Sequence, residues 1–270
     1  MTINGSLSEP PQWRVDEETL NRVTIRTVAD IRAAAVALND AARACGFRIA
    51  VSADIASKET IVDSHGAILN AEVFGWIEDG QRWWEDTRLA LKSFLPRACR
   101  YESEPFWWNA EGFHTIWPNK YLEGISIKET KKFTGNRWAS YIVIPVHLSF
   151  GQIGAVSMPP IDKEMKDLSE PFRLYADGMG LLVRRFVAGY VAAMRTQQWI
   201  PSNCALSKRE VECLRWAAVG KTDSDIGSIL SLSHATVRYH VHRAGEKLNA
   251  VNRSQTVFKA GQLGFLGAAF

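Results

Sequence analysis

Residues 206–257 read LSKREVECLRWAAVGKTDSDIGSILSLSHATVRYHVHRAGEKLNAVNRSQTV, and their caps, apolar spacing and stops decide the fold of the C-terminal part. Ser207 and Glu210 have capping-box form: the hydroxyl accepts from a first-turn N–H and the carboxylate reaches back. Val211, Leu214 and Ala218 then fall on one helical face, and Gly220 supplies a left-handed stop. Thr222 with Asp225 repeats the capping pattern ahead of Ile226, Ile229 and Leu230, the expected buried stripe of a second short helix. Ser231-Leu232-Ser233 makes the turn. A third helix follows, with Val237, Val241, Ala244 and Leu248 pointing inward. Two short helices across a turn of about three residues form a helix-turn-helix, whose second helix enters the DNA major groove.

That inward stripe determines what faces out. His234, Ala235, Arg238, Tyr239 and His242 share the opposite face, near the N-terminal end where base edges are reached. Arg238 is the first candidate for base readout, because its planar fork can bond guanine O6 and N7 together. Thr236 belongs to the same first turn. His242, one turn on, can reach a base or a phosphate. Lys221, Thr222, His240, Arg243, Lys247 and Arg253 are read as phosphate clamps, which position a domain without reading sequence.

The quoted stretch resembles the LuxR-type DNA-binding domain almost end to end. The resemblance is carried by Leu206, Arg209, Glu210, Glu212, Leu214, Ala218, Gly220, Lys221, Ile226, Leu230, Ser233, Thr236, Val237, His240, Lys247, Leu248 and Arg253. It implies a four-helix domain whose last helix, about 253–266, pairs two subunits on a near-palindromic site. Two departures stand out: Gly227 replaces a small alanine, and Gly245 sits inside the recognition helix. Each costs about 1 kcal/mol of helix preference.

Charge supports the same partner. The chain of 270 residues has a net charge of only +3. From Ala205 onward, nine Lys/Arg face five Asp/Glu, whereas upstream 23 basic residues meet 24 acidic ones, so the positive excess is C-terminal. A local surplus of that sign suits a polyanion. With 46% apolar and 23% charged residues, the composition is that of an ordinary soluble globular protein. The opening segment lacks the apolar core of a secretory signal, and no run reaches the ~18 apolar residues of a membrane helix. Cys45, Cys99, Cys204 and Cys213 are scattered without zinc spacing. A cytoplasmic protein with no membrane association, cofactor or metal is expected.

Working upstream, residues 1–18 are aperiodic and read as a mobile arm. Residues 28–45 carry alanines and aliphatics at helical spacing, closed by Gly46. Segments 47–54 and 60–62 are read as strands, 72–98 as one or two amphipathic helices, and 102–119 as an aromatic loop. Residues 141–146 and 154–158 form a strand pair joined through Phe150-Gly151, and 168–194 a long helix. The organisation expected is a sandwich domain over 19–195, a linker over 196–204 and the helix-turn-helix domain over 205–270. The fold class is α+β: an N-terminal α/β/α sandwich followed by an all-α four-helix LuxR-type domain.

A phosphoacceptor receiver would need an acidic pair after its first strand, and FRIAVSADI offers only Asp54. Region 28–194 instead resembles the autoinducer-binding domain of quorum-sensing LuxR regulators, through Glu104-Pro-Phe-Trp-Trp108, Ile142-Val-Ile-Pro145 and Gly151-Gln-Ile-Gly-Ala-Val-Ser157. The resemblance places Trp108 where the family donates to a lactone carbonyl, and Ser157 at the hydroxyl near the acyl amide. The family's Asp-Pro pair becomes Ser93-Phe94, its pocket tyrosine becomes Trp84, and the tryptophan one turn earlier becomes Gly80. A glycine before Pro145 becomes Tyr141, which should fill space. Trp107 adjoins Trp108, so the anchor can slip by one, which would move Lys92 into the Asp position. The polar set that selects acyl-homoserine lactones is largely replaced. Seven of the ten tryptophans lie between Trp76 and Trp138, and they either fill the cavity or line a site for another apolar ligand.

His114 and His147 lack a second histidine or carboxylate at ligand spacing, and no nucleophile–base pair suggests an enzyme. Cys204 and Cys213 lack an obvious activating neighbour. The expectation is therefore a homodimeric, sequence-specific DNA-binding regulator of transcription. It is ligand-independent or senses a small molecule other than an acyl-homoserine lactone. The alternatives are an anti-activator acting by heterodimerisation with a related regulator, or a true acyl-homoserine-lactone receptor.

Overall fold

Alanine-rich periodicity forms the second helix of the first unit, and a left-handed glycine ends it. A computed structural model describes residues 13–57, 59–76, 93–125, 138–195, 201 and 204–267. Helix α1 (Glu17–Arg22) is capped by Asp16, whose carboxylate accepts from the Thr19 N–H. Helix α2 (Ile31–Ala44) buries Ile31, Ala34, Ala35, Leu38 and Ala42, a stripe at i, i+3, i+4, i+7. Gly46 at φ +83° turns the chain, and the Phe47 N–H closes on the Ala42 carbonyl at 2.9 Å.

The chain divides into two compact units, Met1–Leu148 with Gln152–Met194, and Arg195–Phe270 with Ser149–Gly151. The first is built on a five-stranded antiparallel sheet ordered β1-β5-β4-β2-β3. Its strands are β1 (Ala50–Ser52), β2 (Phe106–Trp108), β3 (Phe113–His114), β4 (Tyr141–His147) and β5 (Ile153–Met158). Short helices α3 (Leu69–Glu72), α4 (Phe94–Tyr101) and α5 (Lys120–Glu123) connect them, and α6 (Ser169–Met194) follows β5.

Register assigns the two faces of the sheet. Trp108 pairs with Tyr141, and Val143 with Ser157, so Trp108, Tyr141, Val143 and Ser157 share one face. Helix α4 packs on that side, with Phe94 against Trp108. Gly154, Val156 and Met158 point to the other face. There α6 comes so close that a Cβ on Gly154 would lie 2.8 Å from Val187 Cγ1. Helices α2 and α6 pack together, which makes the expected α/β/α sandwich.

Several expectations need correction. The aromatic loop 102–119 holds β2 and β3, turned by Asn109, whose N–H meets the Gly112 carbonyl at 3.1 Å and whose Oδ1 accepts from the Glu111 N–H at 2.8 Å. Residues 60–62 make one bridge, Val62 to Ile68, because Asp63 curls the next residues by accepting from the His65 and Ala67 N–H groups. The first strand is shorter than 47–54. Residues 13–18 are not a free arm: Trp13 lies edge-on to Tyr175, and its N–H bonds the Leu174 carbonyl at 3.2 Å. Gly178 makes that possible, since a Cβ there would sit 2.5 Å from the Trp13 ring. Residues 1–12 and most of the expected linker and of segment 72–98 lie outside the described residues. Among those described, no helix is long and apolar enough to cross a membrane.

The second unit is all α: α7 (Lys208–Ala218), α8 (Asp223–Leu230), α9 (His234–Lys247) and α10 (Arg253–Gln262). Their core is Cys213, Leu214, Ile226, Val237, Val241, Ala244, Leu248 and Ala260.

Candidate nucleic-acid interface

Both capping boxes form as the spacing requires. Ser207 Oγ accepts from the Glu210 N–H while Glu210 accepts from the Ser207 N–H, and Thr222 and Asp225 do the same at α8. Such caps stabilise a helix start by about 1 kcal/mol each. Ser233 caps α9 through the Thr236 N–H at 3.0 Å, and its hydroxyl also meets Thr236 Oγ1 at 2.8 Å. Between α8 and α9, Ser231 takes a left-handed conformation at φ 56°. Gly227 is explained by the same turn, for a Cβ there would meet the Leu232 carbonyl oxygen at 2.7 Å. Gly245 lies under α10, where a Cβ would stand 3.0 Å from Thr256 Oγ1. Close approach outweighs the helix preference both glycines forgo.

Two inward assignments do not hold. Ala218 is exposed, because α7 buries Glu210, Cys213 and Leu214 instead. Ile229 is 43% exposed, since two-turn α8 turns Ile226 and Leu230 inward and leaves Ile229 to one side.

The stripe of α9 buries as expected, and the reading face emerges with it. His234, Ala235, Arg238, Tyr239 and His242 are all exposed, Tyr239 at 60%. Thr236 and His240 are half-buried, with His240 edge-on to Tyr239 at 5.6 Å. Lys221 and Thr222 are exposed at the start of α8, although the Thr222 hydroxyl is bound to Asp225 Oδ2 at 2.7 Å.

Three of the expected cationic phosphate clamps are also held by carboxylates. Lys247 is corrected to an internal role: its Nζ donates to both oxygens of buried Glu210, at 2.9 and 2.8 Å. Burial pushes the Glu210 carboxyl up, but the Lys247 bond and the Ser207 N–H outweigh it and hold the group below its ordinary value. Arg253 is likewise a fastener, bonding Asp223 and the Lys221 carbonyl, and so ties α10 to the start of α8. Arg243 stays at the surface, bonded to Glu246 at 2.8 Å. Lys259, with no role in the sequence reading, is buried with its ammonium on the Leu248 and Asn249 carbonyls at 3.1 and 2.6 Å, closing the C-terminus of α9.

In the first unit four of the candidate pocket residues are described: Trp108, Tyr141 and Ser157 on the α4 side of the sheet, and Ser93 at the start of α4 itself. Trp108 and Tyr141 are buried and stacked, centroids 4.9 Å apart at 5°, with Phe94 edge-on to Trp108 at 4.8 Å. Ser93 is half-buried at the N-cap of α4 without a side-chain cap bond, and Ser157 is half-buried on β5. Trp107 points to the opposite face and stacks on His114 at 3.6 Å, so Trp108 is the tryptophan that shares a face with Tyr141 and Ser157. Trp108 Nε1 is buried with no hydrogen-bond partner among the described residues. Gly80 and Trp84 lie outside the described residues.

The remaining candidates are occupied. His147 Nε2 meets the Cys99 carbonyl at 2.9 Å, and His114 Nε2 meets Asn109 Oδ1 at 3.4 Å. Among the described residues no group of three His, Cys, Asp or Glu is placed to hold a metal ion. Burial pushes the Cys45 thiol to about 11 and the Cys99 thiol to about 12, and it raises Cys204 and Cys213. All four thiols are therefore protonated and poorly nucleophilic near neutral pH.

A family model described as bacterial regulatory proteins of the luxR family matches residues 204–260. The transcriptional activator protein LuxR of Aliivibrio fischeri is 32% identical over 184 residues, covering 68% of this chain and 70% of that protein. The HTH-type quorum sensing-dependent transcriptional regulator RpaR of Rhodopseudomonas palustris is 37% identical over 123 residues, 46% of this chain and 47% of RpaR. The crystal structure of Escherichia coli SdiA aligns over 93% of this chain and 97% of its own, at 18% identity and a TM-score of 0.48.

Proposed function

The chain belongs to the luxR family of bacterial regulatory proteins, and from that premise we propose that it is a homodimer binding a near-palindromic DNA site in a sequence-specific way. Two copies of α9 lie in successive major-groove faces about 34 Å apart. Arg238 reads a guanine, and His234, Tyr239 and His242 contact neighbouring base edges or phosphates. Lys221 holds the backbone at the exposed start of α8. Pairing through α10 fits its exposed Phe258, an apolar side chain on the last helix. The single observation that carries this reading is the exposed face of α9. Arg238 stands there beside Tyr239 and His242, on a helix whose other face is fully buried.

The protein does not respond to acyl-homoserine lactones. Ser93 replaces the carboxylate that would accept the ligand amide, and Tyr141 stacks flat on Trp108. The test is site selection from a random duplex library with purified full-length protein. Affinity for the selected site is then measured with and without a panel of acyl-homoserine lactones. Tight lactone-independent binding to a two-fold symmetric site supports the reading, and no selected sequence overturns it.

A second reading, regulation by a different small molecule, is favoured by one observation. Among the described residues the buried Trp108 N–H has no acceptor, and such a group costs about 1–3 kcal/mol when nothing satisfies it. A neutral apolar ligand bearing a carbonyl would satisfy it. If a screened aromatic or carbonyl compound raises the melting temperature and Trp108→Phe abolishes the shift, this reading holds. If Trp108→Phe is only neutral or stabilising and no compound shifts the wild type, the aromatic stack is a filled core.

A further inference from the structure

Resting on that DNA-binding reading, we propose that Glu246 is a positioning residue that limits the phosphate affinity of the recognition helix by holding Arg243 off the DNA backbone. Positions 238, 239, 242 and 246 follow at helical spacing, so Glu246 lies at the C-terminal end of the reading face. Its Oε2 accepts from Arg243 Nη1 at 2.8 Å, and Oε1 stands 3.7 Å from His242 Nδ1. Its side chain is 49% exposed, so the charge is displayed at the surface.

Helix energetics give only a weak reason for a carboxylate there, a pair of about 0.2–0.5 kcal/mol. It sits in the last turn of α9, where the helix dipole disfavours negative charge. The cation precedes the anion along the chain, the weaker order for a helical pair. The other carboxylate pairs around this face differ in kind. Glu210 fastens Lys247 beneath the surface, and Asp223 fastens Arg253 between helices. Glu246 fastens nothing to the core. Among the described residues, Lys221 ahead of α8 and Arg238 on this face have no carboxylate within ion-pair distance. Its positive charge is thus restricted to the base reader and one clamp, while Arg243 is held in reserve.

Sequence-independent binding comes from cations on phosphates, each releasing counterions and adding about 0.9 to the slope of log affinity against log salt. A carboxylate that occupies one guanidinium and repels the backbone lowers affinity for every sequence alike, and so limits trapping on random DNA.

The experiment measures binding of full-length wild type, Glu246→Gln, Glu246→Gln/Arg243→Ala and Glu170→Gln to random and selected duplexes over a range of salt. Glu170→Gln makes the same change of net charge on α6. The expected result is about 3- to 10-fold tighter binding of Glu246→Gln to both duplexes, with a salt slope steeper by about 0.9. The added slope disappears in the double variant and is absent in Glu170→Gln. Unchanged affinity and slope for Glu246→Gln would overturn the inference while leaving the DNA-binding reading intact. So would a loss confined to the selected duplex, which would make Glu246 an acceptor for cytosine N4. Wild type that binds no duplex would overturn both.

Discussion

Replacing Lys247 by methionine separates a structural cation from a phosphate clamp. The substitution keeps the buried stem and removes the ammonium, leaving Glu210 as a carboxylate with a side-chain exposure of only 6%. Removing one member of a fully buried pair costs about 3–5 kcal/mol. Here the Lys247 side chain is 33% exposed, and Glu210 keeps the Ser207 N–H at 2.7 Å, so water and the cap recover part of that cost. A loss of about 2 kcal/mol follows, which for a unit of this size lowers the melting temperature by about 10 °C. Glu210→Gln/Lys247→Met should recover part of it, because no unpaired charge remains buried. The assay is thermal unfolding of the full chain, with hydrogen exchange to localise the change to α7 and α9, plus DNA binding below the transition. The salt slope should match wild type. A slope reduced by about 0.9 with unaltered unfolding would refute the reasoning and restore Lys247 as a phosphate clamp.

Lys221→Ala should weaken binding to all sequences and flatten the salt slope by about 0.9, read by fluorescence anisotropy on random and selected duplexes. Gly154→Ala should destabilise the first unit by about 1–3 kcal/mol in chemical unfolding, because the added methyl meets Val187 and the Ser52 and Ala53 carbonyls. Asp63 is held at about 2, below its ordinary 3.8, by the Arg32 bond and then by the His65 and Ala67 N–H groups. A lowered carboxylate pKa contributes stability that is full above about pH 4 and lost as pH falls toward about 2. The stability gap between wild type and Arg32→Gln should therefore be constant near neutrality and close over that acid window in urea titrations.

What was legible in the sequence was local. Both capping boxes, the Ser233 turn and the stripe Val237-Val241-Ala244-Leu248 rest on spacings of three and four residues, which one helix enforces by itself. The fates of Lys247 and Arg253 were not legible, since their partners Glu210 and Asp223 lie 37 and 30 residues away. Charge pattern alone makes any exposed-looking cation a phosphate clamp. Strand β2 was hidden for another reason: Phe106, Trp107 and Trp108 are all buried, so the alternation that marks a half-buried strand is missing. The choice between Trp107 and Trp108 required the register with β4, a long-range fact. The sandwich itself was legible through β4, β5 and the length of α6, but the folding of Trp13 onto Gly178 was not, because a lone tryptophan in an aperiodic segment carries no periodic signal.

The most direct test of sequence-specific DNA reading by α9 is a base-substitution scan of the selected duplex with wild type and Arg238→Ala. Arg238→Ala is predicted to lose about 1–3 kcal/mol on the selected site and to relax preference at one guanine in each half-site, with random-duplex affinity little changed. An unchanged preference at every position, or an equal loss on all sequences, would contradict the account and move the reading of bases away from this helix face.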